Sequence, residues 1–275
     1  MLVVCTGGTT VLNAYDPIDK VADVCAQHHI WLHSDICLGG AALFSGTHRD
    51  LLRGIERSDS LAWCWHKVLN APFQTSLFLC RHPGLLGECH SAGASYLFAT
   101  DKHYDTSYDT GDASIQCGRK GDALKVWMML KARGSVKIGQ LVDQAFAAAE
   151  YFAATISKMD EFRMVTGQAQ GTSVCFWLLP PSLRGVPTDS TEFLRRVPQL
   201  SQQLKAALAK SGRGMIACQP VACKNWPNFF RVTFGCHPLT SRTDVNEFID
   251  LLVSLLEEVQ EEETKRHAAT DQNES

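Results

Sequence analysis

Residues 2–35, LVVCTGGTTVLNAYDPIDKVADVCAQHHIWLHSD, decide the fold. Leu2-Val3-Val4-Cys5 is a short apolar run that stops at Thr6-Gly7-Gly8-Thr9-Thr10, the pattern of a buried strand entering a turn. Asp16-Pro17 predicts a helix start, with Asp16 as the cap and Pro17 in the first turn. Ile18, Val21, Ala22 and Cys25 follow at helical spacing and form one apolar stripe. Ile30-Trp31-Leu32-His33 predicts the next short strand. A second helical stretch around residues 49–55 leads to Leu61-Ala62-Trp63, and Ser76-Leu77-Phe78-Leu79 predicts one more strand. Strand, helix, strand, helix, strand is the pattern of an α/β fold.

From about Arg119 the pattern changes. Residues 124–133 predict a helix that Gly134-Ser135 breaks, and Ile138, Leu141, Val142, Ala145, Phe146 and Ala149 form a long amphipathic stripe. Strands are predicted near residues 162–165 and 174–177, a helix from about Glu192 to Ala209, and two short strands at 214–218 and 229–234. Val245, Phe248, Ile249, Leu252, Leu256 and Val259 define a last amphipathic helix. The expected organisation is therefore a first α/β domain over residues 1–133, a small α+β domain over 134–260, and a charged, polar tail at 261–275 expected to be disordered. The chain begins inside a strand, and a parallel sheet needs neighbours at its sides and cover on both faces. The first domain thus reads as the C-terminal part of a larger one.

Composition narrows the function. Of 275 residues, 45% are hydrophobic and 20% charged, as in a globular protein with a real core. A net charge of −3 and the lack of a basic stripe argue against nucleic acid and acidic membranes as partners. No apolar run approaches the roughly 20 residues that span a bilayer, and the start lacks the basic flank and apolar stretch of a signal peptide. The 11 cysteines are scattered, with no CxxC pair, which points to reduced thiols in a cytoplasmic protein. Cys218, Cys223 and His237 match no common zinc spacing, so no metal is expected.

Three places carry chemistry. Trp63-Cys64-Trp65-His66-Lys67 puts a lysine at the end of an apolar strand, where the C-terminal edge of an α/β sheet holds its site. A desolvated lysine there is a Schiff-base nucleophile. His33-Ser34-Asp35 ends the previous strand at the same edge, and Thr6-Gly7-Gly8-Thr9-Thr10 ends the first. Taken singly, each has a commoner reading: a surface lysine, a turn or cap aspartate, an ordinary Gly/Thr turn. Together, Thr6, Asp35 and Lys67 arrive in the arrangement a pyridoxal-phosphate site uses. The lysine holds the cofactor aldehyde as an imine, and the aspartate keeps the pyridine nitrogen protonated.

The stretches TGGTTVLNAYDP, IWLHSD, the His66-Lys67 pair, ASYLF, DKHYDTSYDTGD, QCGR, VCFWLLPPSLRG and NFFR carry a resemblance over residues 3–260. The chain resembles the group II pyridoxal-phosphate decarboxylases, in the acidic branch that includes glutamate and cysteine sulfinate decarboxylases. The segment 94–119 is the most specific part. The resemblance implies a fold-type-I transferase-like architecture, with an incomplete large domain followed by a small α+β domain. It implies that Lys67 carries the cofactor, that His66 contacts its phosphate, that Asp35 pairs with the pyridinium, and that Thr6 and Cys37 lie near the ring. Arg231 would bind a substrate carboxylate, for which a guanidinium fork is suited. Tyr96 would sit on a mobile loop, about residues 85–96, that closes over the site and returns a proton to the α-carbon. The implied reaction removes the α-carboxylate of cysteine sulfinate, aspartate or glutamate as CO2, and the implied assembly is a homodimer.

The chain departs from the family pattern at two local positions. Cys64-Trp65 stand where the family has Asn-Pro, and Cys37 stands where it has a small alanine. The family's phosphate-binding turn and its ring-stacking histidine precede the region matched, so this chain alone is expected to bind the cofactor weakly and to be nearly inactive. The rival expectation is a non-catalytic protein that acts by pairing with itself or with a full-length paralogue. A transaminase fits the loop sequence less well.

Overall fold

The computed structural model describes residues 1–273 apart from Ser95, Leu97, Thr100, Thr110 and Cys117, with the backbone alone at residues 107 and 266–273. The first sheet contains β1 (Leu2–Thr6), β2 (Trp31–Asp35), β3 (Ser60–Cys64) and β4 (Ser76–Cys80), in that order. β1, β2 and β3 are parallel, and β4 runs antiparallel beside β3. The helix α1 (Ile18–Gln27) connects β1 to β2 and buries Ile18, Ala22 and Cys25, the inner residues of the predicted stripe.

Two local expectations are corrected. Asp16 does not cap α1, whose start has no side-chain cap. Its carboxylate instead accepts the Thr6 N–H at 2.8 Å, and its own N–H donates to the Thr6 carbonyl at 3.0 Å, tying the helix entry to the end of β1. Residues 49–55 form no regular helix. Short 3-10 turns at Gly39–Phe44, Arg49–Leu52 and Ile55–Arg57 fill this connection. Gly54 explains the stop: it has φ 88°, and a Cβ there would lie 2.6 Å from the Asp19 Cα. The chain turns closely against α1 instead of winding on.

After α2 (Leu85–His90), a largely irregular stretch leads to α3 (Ala123–Ile156), which breaks at Gly134 (φ 69°, ψ 161°), as the sequence predicts. We propose the domain boundary at this break. The second sheet contains β5 (Phe162–Met164), β6 (Ser173–Leu178), β7 (Ala217–Val221) and β8 (Trp226–Thr233), ordered β5-β6-β8-β7 and antiparallel throughout. The strand predicted at 214–218 thus lies about three residues later.

The helix α4 (Thr191–Ser211) starts at Ser190, whose Oγ accepts the Phe193 N–H at 3.2 Å. The final helix α5 (Arg242–Asn273) runs through most of the segment whose polarity predicts disorder. Glu, Lys and Ala are strong helix formers, and Glu261 and Lys265 pair at 3.5 Å one turn apart. Glu274 and Ser275 lie outside the described residues.

Two apolar clusters hold the molecule together, one beneath each sheet. Ile138, Leu141, Val142 and Phe146 of α3 belong to the first, and Ala149, Phe152 and Ile156 to the second. One helix therefore packs on both cores.

Candidate active site

Parallel pairing sets the geometry of the sheet edge. Thr6 is the register partner of Asp35, and Asp35 of Ala62. β3 continues to Cys64, after which Trp65-His66-Lys67 turns off its end, so Thr6, Asp35 and Lys67 reach one edge. Asp35 Oδ1 accepts the Cys37 N–H at 2.9 Å, and the Cys37 thiol also bonds to this carboxylate, which has acceptor lone pairs to spare. That leaves an acceptor for a pyridinium N–H.

Lys67 lines a cavity of about 510 Å³ between the two halves of the molecule, together with Thr10, Leu38, Asn70, Arg231 and His237. The Lys67 side chain has no hydrogen bond or ion pair among the described residues. Arg231 lies on β8, opposite Cys175 and Ala217. Its Nη1 donates to the Thr10 carbonyl, while its Nε is buried without a partner among the described residues. A buried guanidinium N–H without an acceptor is costly, and a carboxylate entering the cavity would satisfy it. Burial pushes the neighbouring Cys175 thiol up to about 12 against the opposing pull of the Arg231 charge, so that cysteine stays protonated.

The other expected residues are less central. His66 does not line this cavity. Its Nδ1 lies 2.8 Å from the Thr75 carbonyl and 3.1 Å from the Thr75 nitrogen, and its ring packs 4.8 Å from that of Phe73. Nε2 is left without a partner among the described residues and is the nitrogen available to a phosphate. Tyr96 is 90% exposed and also stands outside the cavity. Its neighbours Ser95 and Leu97 are outside the described residues. The structure thus brings Lys67 and Arg231 together, places Thr6, Asp35 and Cys37 at the adjoining edge, and leaves His66 to one side and Tyr96 in solvent.

The altered residues are accommodated by packing. Trp65, 4% exposed, meets the rings of Phe44 and Trp63 at 5.5 and 5.2 Å, so its bulk enters an aromatic cluster. Its Nε1 is buried without a partner among the described residues. Cys37 and Cys64 approach each other with sulfurs 3.2 Å apart.

Sequence reasoning missed Asn13 and Asn70, and weighed His237 only as a metal ligand. Asn13, 1% exposed, donates from Nδ2 to Thr172 Oγ1 at 3.3 Å, linking the turn after β1 to the second sheet. Asn70 Oδ1 accepts the His237 N–H at 3.2 Å, and the Val68 carbonyl accepts the Cys236 N–H at 2.8 Å. Both asparagines have positive φ, 56° and 54°, a conformation in which asparagine is enriched. An asparagine punctuating an apolar run was the available signal.

The cofactor class that fits this site is a pyridoxal phosphate, and residues 1–179 match the model of the pyridoxal-dependent decarboxylase conserved domain: the chain belongs to that family. It is 45% identical over 257 residues to cysteine sulfinic acid decarboxylase of Mus musculus, an alignment covering 93% of this chain and 50% of that protein. Similarity to the acidic amino acid decarboxylase GADL1 of Mus musculus is 45% identity over 255 residues, covering 92% and 46%. The crystal structure of mouse CSAD superposes with a TM-score of 0.85 at 42% identity, covering 93% of this chain and 52% of that one. The fold is therefore the fold-type-I α/β architecture. The chain spans about half the length of the curated relatives it matches.

Proposed function

We propose that this chain supplies the lysine-bearing part of the active site of a pyridoxal-phosphate-dependent decarboxylase that acts on a small acidic amino acid. The observation that carries the proposal is one cavity lined by both Lys67 and Arg231, whose amine and Nε have no partner among the described residues. When bound, the cofactor supplies an electron sink for the pair of electrons left behind as the α-carboxylate departs as CO2. Lys67 would hold its aldehyde carbon, Asp35 its ring nitrogen, and His66 Nε2 its phosphate, with Thr6 and Cys37 beside the ring. Arg231 would grip a substrate carboxylate with Nε and its remaining Nη group, while Thr10 keeps the guanidinium aligned. Tyr96 would reach the substrate only after its loop closes, exclude water there, and return the proton to the α-carbon.

Cysteine sulfinate, aspartate and glutamate all offer the second anionic group that this reading requires, and similarity to cysteine sulfinic acid decarboxylase supports the first. A cytoplasmic location and pairing with a second copy belong to the same proposal. Pairing is supported by Leu124, Trp127, Met128 and Leu130 of α3, all large, apolar and exposed. No helix among the described residues is long and apolar enough to cross a membrane.

The test is the visible absorption of the purified chain with added pyridoxal phosphate, followed by borohydride reduction and peptide mapping. Label concentrated on Lys67 is the expected result, and label spread over surface lysines overturns the proposal. The exposure of Tyr96 outside the cavity favours a second reading, a protein acting only by association. A stable dimer that leaves Lys67 unlabelled would select it.

A further inference from the structure

Cys37 and Cys64 occupy the positions where the chain departs from its family's small alanine and its asparagine, and the fold sets them side by side. Asp35 pairs with Ala62 in parallel register, and the Ile36 N–H donates to the Ala62 carbonyl at 2.9 Å, so the ladder continues toward residues 37 and 64. Neighbouring strands lie about 4.8 Å apart, within the Cα separation that a disulfide bridges. The two sulfurs are 3.2 Å apart, and both residues are only partly buried. Ser76 Oγ lies 3.2 Å from the Cys64 sulfur on the antiparallel neighbour β4, placed to donate to a thiolate there. The proposed decarboxylation uses neither thiol as a reactant.

We propose that Cys37 and Cys64 form a redox-modification site, a dithiol that a hydroperoxide converts reversibly to a disulfide across the cofactor edge of the sheet. Burial, the bond to Cys64 and the Asp35 carboxylate all hold the Cys37 thiol protonated, which assigns the first attack to Cys64. The Cys64 sulfur takes one oxygen from the hydroperoxide, becomes a sulfenic acid, and releases the alcohol, or water from hydrogen peroxide. The Cys37 sulfur then displaces that hydroxyl. A sulfur–sulfur bond forms, and the hydroxyl leaves as water with the Cys37 thiol proton. Two electrons pass from the pair to the hydroperoxide, and a small dithiol reductant returns them. The bond ties the turn after Asp35 to the strand end that precedes Lys67, so oxidation stiffens the elements that present both residues.

This chemistry does not depend on cofactor loading, so its test stands apart from that of the proposed function. The reduced full chain is treated with a few equivalents of hydrogen peroxide, alkylated with iodoacetamide and digested with trypsin. Cys37 falls in peptide 21–49 and Cys64 in peptide 58–67. The expected product is these two peptides joined with loss of two hydrogen atoms, the link assigned by fragmentation to Cys37 rather than Cys25, and released by dithiothreitol. Cys64→Ser should abolish the link and leave Cys37 open to alkylation. Separate alkylation of both cysteines after peroxide, a link through Cys25, or loss of Cys37 alkylation in Cys64→Ser would overturn the proposal.

Discussion

Replacing Gly8 with alanine tests whether the turn after β1 depends on close backbone approach. Gly8 has φ 88°, and a Cβ there would lie 2.5 Å from the Gly39 nitrogen and 2.6 Å from its Cα. Those atoms are backbone and cannot rotate aside. The Gly39 N–H donates to the Gly7 carbonyl at 3.0 Å, so the collision strikes the contact that holds this turn to the segment after β2. The left-handed conformation costs a non-glycine residue about 1–2 kcal/mol, and overpacking adds about 1–3 kcal/mol, giving roughly 2–5 kcal/mol for Gly8→Ala. At roughly 2 °C per kcal/mol for a chain of this size, the Tm should fall by about 4–10 °C in differential scanning calorimetry. Gly46→Ala is the control. A Cβ at Gly46 meets nothing within 4 Å, and that variant should stay within about 1 kcal/mol of the parent, on the stabilising side. Equal Tm values for Gly8→Ala and the parent chain would refute the steric reasoning.

The remaining predictions concern packing, charge and recognition. Phe152 is fully buried among the rings of Phe176, Phe234 and Phe248, and Phe152→Ala should lower the unfolding free energy in urea by about 3–5 kcal/mol. Arg231→Met should weaken binding of an acidic amino acid to the cofactor-loaded chain by roughly 10- to 100-fold, read by spectral titration, because a charge-assisted hydrogen bond contributes about 1.5–3 kcal/mol. An unchanged affinity would remove Arg231 from the proposed site. Burial pushes the Asp59 carboxyl up, but the Leu32 N–H, His82 and Arg81 outweigh it and hold the group below its ordinary 3.8. A carboxylate with a depressed folded value contributes its stability fully above about pH 4 and loses it as pH falls through that value. Asp59→Asn should therefore flatten the acid limb of a Tm-against-pH curve.

The strands at the site were legible because each is a short apolar run closed by a turn, and parallel register then carries Thr6 and Asp35 to the same height. The helix break at Gly134 was legible for a similar reason, since a glycine interrupting an apolar stripe marks it directly. The connection at 49–55 was misread because its apolar spacing resembles a helix, whereas Gly54 pressed against Asp19 is a tertiary contact. Asp16 presents the same difficulty. Its residue type suits a cap, but Thr6 ten positions earlier competes for the carboxylate and wins. Tyr96 and His66 carried roles taken from family resemblance. Their present positions, in solvent and against Thr75, depend on loop conformations that no local pattern encodes.

The cavity's geometry follows from how its two walls are tied. Thr10 accepts from Arg231, and Asn13 donates to Thr172, two of the bonds that join the second sheet to the turn after β1. Val68 accepts from Cys236, and Asn70 from His237, so two more join the segment after β8 to the loop carrying Lys67. At about 0.5–1.5 kcal/mol net each, these four links contribute roughly 2–6 kcal/mol, less than either apolar core. Two of them end on residues one and three positions from Lys67, and one ends on Arg231 itself. The alignment of lysine with guanidinium therefore depends on weak local bonds, while the fold depends on the cores and on the α3 helix that spans both. Substitutions at Asn13 or Asn70 should accordingly disturb ligand geometry before they unfold either half. Lys67 trapping by borohydride would then fall in a variant such as Asn70→Ala whose Tm stays within a few degrees of the parent. Loss of Tm in step with loss of trapping would instead place those bonds in the global fold.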